Sequence, residues 1–145
     1  MDKKLFKLLL IALFSSSAFA NNNSEINLLD LYKDLHSNPE LSYKEFETSR
    51  KLSLVLEELG YEVTRGVGGN GVVALLKNGE GKTVMLRADM DGLPVEEKTG
   101  ASYASRTKTL NDEGQEVFTM HACGHDIHMT VLIGAAQYLI QNRSD

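Results

Sequence analysis

Met120-His121-Ala122-Cys123-Gly124-His125-Asp126-Ile127-His128 gathers three of the chain's four histidines, its single cysteine and a carboxylate into one short stretch. Thiolates, neutral imidazoles and carboxylates ligate borderline divalent metals, and zinc favours nitrogen and sulfur donors. An apolar, helix-like run follows at once, which puts the stretch where a loop enters a helix. The dipole at that helix N-terminus would favour the ligating thiolate form of Cys123. The stretch reads as half of a metal site. Two other readings stand beside it: a buried structural cysteine with a surface His125, and a Cys–His nucleophilic pair. The crowding of His121, His125, Asp126 and His128 around Cys123 favours metal ligation.

Working back along the chain, Arg87-Ala88-Asp89-Met90-Asp91-Gly92-Leu93-Pro94 turns abruptly acidic after an apolar run at Val84, Met85 and Leu86. That run predicts a third strand over Thr83–Ala88, apolar enough to lie inside a sheet. Charged residues just past a buried strand are where α/β folds place their sites. Asp89 and Asp91 alternate onto one side of an extended chain. Either they are solvated loop charges, or they stand behind a metal ligand and orient its imidazole; the latter is expected foremost of Asp89. The polar region from about Lys98 to Phe118, with a turn at Asn111-Asp112-Glu113-Gly114, is expected to form a hairpin or a loop.

Further upstream, Ser24 would cap a first helix running to about His36, whose imidazole reads as structural or as a dipole partner at the helix end. Asn38-Pro39 breaks it. Ser42-x-x-Glu45 reads as a capping box for a second helix, with a stripe of Phe46, Leu52, Val55, Leu56 and Leu59, closed by Gly60. Tyr61–Arg65 and Val72–Lys77 predict two strands around a glycine turn, which lacks the following helix a phosphate loop needs. A last helix from about Asp126 to Asn142 would turn Val131, Leu132, Ala135, Ala136, Leu139 and Ile140 towards the sheet, with Gly134 permitting close packing. The class is α/β, a mixed sheet with flanking helices.

The first twenty residues combine Lys3, Lys4 and Lys7 with an apolar run and the Ala18-Phe19-Ala20 cleavage signal, which predicts export to the periplasm or medium. The apolar run is too short to span a bilayer permanently, and no cysteine follows the cut to carry a lipid, so no membrane anchor is expected after cleavage. Without Lys3, Lys4, Lys7 and Asp2, the 15 basic and 20 acidic residues become 12 and 19, a net charge of −7. A negative surface without basic clusters argues against a nucleic-acid partner. The lone cysteine cannot close an internal disulfide in an oxidising compartment, which again favours a metal.

The blocks His36-Ser37-Asn38-Pro39-Glu40-Leu41-Ser42 with Glu45 and Thr48, Arg87 to Pro94, and His121-Ala122-Cys123-Gly124-His125-Asp126 resemble, in order, those of the dinuclear-metal amidohydrolases. That family includes hippurate hydrolase, N-acyl-amino-acid amidohydrolases and auxin-conjugate hydrolases, within the aminoacylase–carboxypeptidase metallopeptidase group. The resemblance implies a zinc-peptidase-like catalytic domain over residues 21–145 and two divalent ions, zinc or manganese. It makes Cys123 and His125 metal ligands, and carries over only the aspartate role at Asp89 where other members have His-x-Asp. It also implies amide hydrolysis of N-acyl amino acids or small peptides, and a homodimer of the intact protein. The family's adjacent glutamates follow the cysteine block, whereas Glu96-Glu97 precedes it and is not assigned the base. The expectation is therefore a truncated catalytic domain, without the lid or dimerisation domain and inactive alone. The alternatives are a non-enzymatic metal- or partner-binding fragment and one half of a split enzyme.

Overall fold

The computed structural model describes residues 25–143; the expected export signal and the cap at Ser24 lie outside them. Helix α1 (Leu28–Ser37) starts instead at Asn27, whose Oδ1 accepts the Leu29 and Asp30 N–H groups at 3.1 and 3.2 Å. These are donors a helix's first turn leaves without internal partners.

Helix α2 (Phe46–Glu58) follows, but its cap differs from the expected box. The Glu40 carboxylate accepts the Glu47 and Thr48 N–H groups at 3.1 and 2.7 Å. Tyr43, at φ 63°, turns the chain between them, and Glu45 is drawn away to accept from Asn70 at 3.0 Å. Ser42 and Glu45 therefore do not form a capping box. Gly60 ends the helix at φ 91°, donating to the Glu57 carbonyl at 2.9 Å. Leu52 and Leu56 are buried, but Phe46 is 64% exposed, because Thr48 and Ser49 occupy the inward face of the first turn.

Strands β1 (Glu62–Val67) and β2 (Gly71–Leu75) form the expected antiparallel hairpin, packed on α2. Its turn demands glycine: a Cβ on Gly71 would stand 2.2 Å from the Val67 carbonyl oxygen. The third strand does not form. Val84 and Met85 are 81% and 83% exposed, and residues 83–88 pair with no neighbour. Apolar patterning reports what a segment would bury, but a strand also needs an adjacent edge to take its hydrogen bonds, and the described residues bring none to it. The polar region resolves as a hairpin of β3 (Lys108–Leu110) and β4 (Glu116–Phe118), so the strands lie in two separate two-stranded sheets.

Helix α3 (His125–Gln141) begins at Gly124, φ 77°, and packs chiefly on α1. It buries Met129, Ile133 and Ala136 there, while Val131 and Leu139 are 64% and 47% exposed. Ala136 and Leu132 thus face the core as expected, whereas Val131 and Leu139 do not, because the helix meets other helices rather than a sheet and its inward stripe is centred on Met129 and Ile133. At Gly134 a Cβ would stand 2.9 Å from Leu28 Cδ1, the close approach its sequence suggested. The core gathers Leu31, Leu35, Leu52, Leu56, Met129, Ile133 and Ala136, with Val63, Val72, Ala74, Ala88 and Met90 at its margin. At about 25 cal/mol per Å² of apolar area, this shared burial by three helices is the main stabilising term.

Three short segments tie the site to this core. The Gly92 N–H donates to the Glu40 carbonyl at 2.6 Å, and Leu93 and Met120 exchange backbone bonds of 2.8 and 3.0 Å. The fully buried Thr119 hydroxyl donates to the Pro39 carbonyl at 3.1 Å. Asp91 and the cysteine–histidine loop therefore start from one braced platform.

Candidate metal centre

The loop from His121 to Gly124 closes as a turn, the Gly124 N–H donating to the His121 carbonyl at 3.1 Å. Its left-handed residue is glycine, which carries no Cβ penalty there, and α3 starts directly after it. Cys123 projects from this turn as an exposed free thiol.

His125 occupies the first position of α3 and is gripped by Asp91. Its Nδ1 lies 2.9 Å from the Asp91 carbonyl oxygen and 3.0 Å from the Asp91 carboxylate. Both partners are acceptors, so Nδ1 carries the proton and Nε2 keeps its lone pair. This is how an imidazole is prepared to ligate through Nε2, with tautomer and ring angle set by an acceptor behind it. Asp91, not Asp89, makes that contact. Asp89 pairs with Arg87 at the solvent edge, because a guanidinium two residues away on the same side of the extended chain reaches it first.

His128, one turn along α3, is exposed and its ring stands 5.8 Å from that of His125. His121 is only 4% exposed, and neither of its ring nitrogens has a hydrogen-bond partner. Burial lowers its pKa; the Asp126 carboxylate and the nearby Asp91 backbone pull the other way, though the latter makes no geometrically sound bond. His121 is thus held as a neutral ring.

Asp126 is buried, whereas Cys123 is exposed. One carboxylate oxygen accepts the Ile127 N–H at 2.9 Å, and the other lies 2.6 Å from His36 Nδ1. The second nitrogen of His36 lies 3.0 Å from Glu97. Burial works against charge on His36, but its bonds to Glu97 and Asp126 outweigh that and raise its pKa. Sequence reasoning makes His36 structural or a dipole partner at the helix end and does not assign Glu97 the base, so neither is expected in this cluster. The only signal available was the HSNPE block itself, which does not say what its histidine touches.

As a donor set, an accessible thiol and a prepared imidazole nitrogen fit a borderline divalent ion. Among the described residues, no three His, Cys, Asp or Glu side chains are placed to share one ion. The fit is to one edge of a metal centre.

Residues 85–145, which include the acidic segment and the cysteine–histidine loop, match the profile of peptidase family M20/M25/M40. The chain is 44% identical over 118 residues to thermostable carboxypeptidase 2 of Saccharolobus solfataricus, covering 80% of this chain and 28% of that protein. It is 44% identical over 106 residues to the hippurate hydrolase of Campylobacter jejuni, covering 72% of this chain and 25% of that one. Its fold matches the crystal structure of the Bacillus subtilis YXEP protein, described as a dinuclear metal binding peptidase from the M20 family. The TM-score is 0.69 and the identity 40%, over 80% of this chain and 30% of that one. The chain thus spans less than a third of the length of these proteins, and its mixed α/β fold covers part of a peptidase domain of their kind. With its acidic segment and its cysteine–histidine loop both inside the profile match, and 80% of its length matching the fold of a 40% identical solved member, the chain belongs to peptidase family M20/M25/M40.

Proposed function

We propose that this chain is the metal-ligating front part of an amidohydrolase, in which Cys123 and His125 hold a divalent ion, zinc or manganese, and Asp91 orients His125. The observation that carries this is the double grip of Asp91 on His125 Nδ1, which leaves Nε2 free for a ligand. The dinuclear metal description of the B. subtilis relative supports a pair of ions in the whole protein. Such ions polarise a carbonyl and acidify a bound water. The names of the relatives support N-acyl amino acids or small peptides as substrates. Export, domain limits at residues 21–145 and homodimerisation of the whole protein belong to the same proposal.

Catalytic zinc generally takes about three protein ligands, and among the described residues no three such side chains are placed together. That favours a second reading for the chain by itself: a metal-binding piece that turns over nothing until another polypeptide completes it. The exposed apolar run at Val84 and Met85 is consistent with such completion.

The test is equilibrium dialysis of the purified chain against zinc and manganese, with an N-acyl amino acid assay in parallel. Metal uptake that disappears in both Cys123→Ala and His125→Ala is the expected result. Turnover by the chain alone would displace the second reading; metal uptake indifferent to both substitutions would remove the first.

A further inference from the structure

Apart from the ligand pair, the chain buries a second cluster of ionisable groups. The side chains of Glu97 and Asp126 are 0% and 3% exposed, and His36 between them is 10% exposed. The three come from the end of α1, the segment after Pro94 and the first turn of α3, with His36 standing 90 residues from Asp126 and 61 from Glu97 in the chain. Every oxygen is occupied. Glu97 accepts the Ser105 N–H at 2.6 Å through its other oxygen, and Asp126 accepts the Ile127 N–H. The Tyr32 and Tyr103 rings flank His36 at 5.6 and 5.2 Å.

Burying such a group is costly, and well-packed apolar side chains can replace buried ion pairs without loss of stability. What an apolar cluster lacks is direction: a hydrogen-bonded imidazole fixes the angle of each partner. Asp126 directly follows His125, so whatever fixes its side chain fixes the rotation of the first turn of α3. Asp91 holds His125 from the other side.

We infer that His36 is a positioning residue which, through Asp126, sets the first turn of α3 and so aims Cys123 and His125 at a shared ion. This rests on the metal-ligand reading above. His36 itself touches neither ligand, and the coupling runs through one hydrogen bond.

Two substitutions separate the contacts. In His36→Asn the amide stands near the position of Nδ1 and keeps donation to Asp126 while giving up Glu97. In His36→Gln the amide reaches towards the position of Nε2, keeping Glu97 and giving up Asp126. The probe is cobalt(II), titrated into the full chain and read by its thiolate charge-transfer absorption, with thermal melting as the check on folding. The expected result is a Cys123-dependent band in the parent chain, retained in His36→Asn and weakened about tenfold in affinity in His36→Gln. Equal affinities in the two variants, both melting cooperatively, would overturn the inference and leave the metal reading intact. No band in the parent chain, or one that persists in Cys123→Ala, would overturn both. If His36→Gln does not melt cooperatively, the near-isosteric Asp126→Asn replaces it: weakened cobalt affinity supports the inference, and unchanged affinity overturns it.

Discussion

His125 and Asp91, 34 residues apart in the chain, meet through two acceptors on one ring nitrogen: the Asp91 carbonyl oxygen at 2.9 Å and its carboxylate at 3.0 Å. A side chain that reaches the same nitrogen as its own backbone fixes both the height and the rotation of the ring. The Asp91 backbone is fixed in turn, because the next residue, Gly92, is bonded to Glu40. His125 is therefore aimed by the platform of the fold as much as by its own helix.

Removing the carboxylate should weaken metal binding without unfolding the chain. Loss of an acceptor behind a ligating histidine costs about 10–100-fold in affinity. Asp91→Ala keeps the carbonyl contact and should fall near tenfold at that scale. Competition against a chromophoric chelator measures it; an affinity equal to that of the parent chain would contradict the role given to Asp91.

Glu40 and Ser42 make opposite predictions for stability. Glu40 caps two backbone donors of α2 and places a negative charge at the helix's positive end. Glu40→Ala should cost about 1–2 kcal/mol. Ser42 is exposed and caps nothing, so Ser42→Ala should cost less than about 0.5 kcal/mol. Urea denaturation of the two variants side by side decides between the structural cap and the capping box its sequence suggests.

Gly92 sits where three segments meet. A Cβ there would stand 2.9 Å from Pro39 Cβ and 3.3 Å from the carbonyl oxygens of Glu40 and Met120. Two of those three neighbours are backbone, which cannot swing aside. Gly92→Ala should therefore cost about 1–3 kcal/mol, and should also lower metal affinity because Asp91 moves with it. A melting curve unchanged from the parent would refute the close packing.

His36 should make stability depend on pH. It faces Glu97 and Asp126, with the Tyr32 and Tyr103 rings beside it and His121 nearby. Its folded pKa is raised above the ordinary 6.5, so its contribution is complete below that value and is lost as pH rises through the folded pKa. His36→Ala leaves two buried carboxylates unpaired and should cost about 3 kcal/mol below that pH. The gap between parent and variant should narrow on the alkaline side. Denaturation at stepped pH values reads it, and a gap that widens with pH would reverse the assignment.

Much of this is legible in the sequence alone. All three helices lie within a few residues of their expected limits, with the later starts of α1 and α2 set by caps at Asn27 and Glu40. The glycine turn joins β1 to β2, and the loop holding Cys123 and His125 opens α3 as its spacing implied. These are short-range properties. Apolar periodicity, a proline that stops a helix and a glycine that alone tolerates positive φ all act within a few residues of where they are written.

What failed to be readable depends on distant partners. Asp89 and Asp91 have the same residue type and lie on the same side of the chain, and only the brace at Gly92 and the neighbour at Arg87 send one to His125 and the other to solvent. An apolar run announces a strand, but cannot announce whether an edge is waiting for it, as residues 83–88 demonstrate. His36, Glu97 and Asp126 come from three separate blocks, and nothing in their local sequence says they share a hydrogen-bond network. By itself the sequence determined the three helices, the β1–β2 hairpin, their order and the donor types offered to a metal, because those follow from local backbone preference and residue type. Tertiary structure decided which aspartate holds the His125 ring and which histidine is buried between two carboxylates. Those contacts span 34 to 90 residues and exist only once packing has brought the segments together.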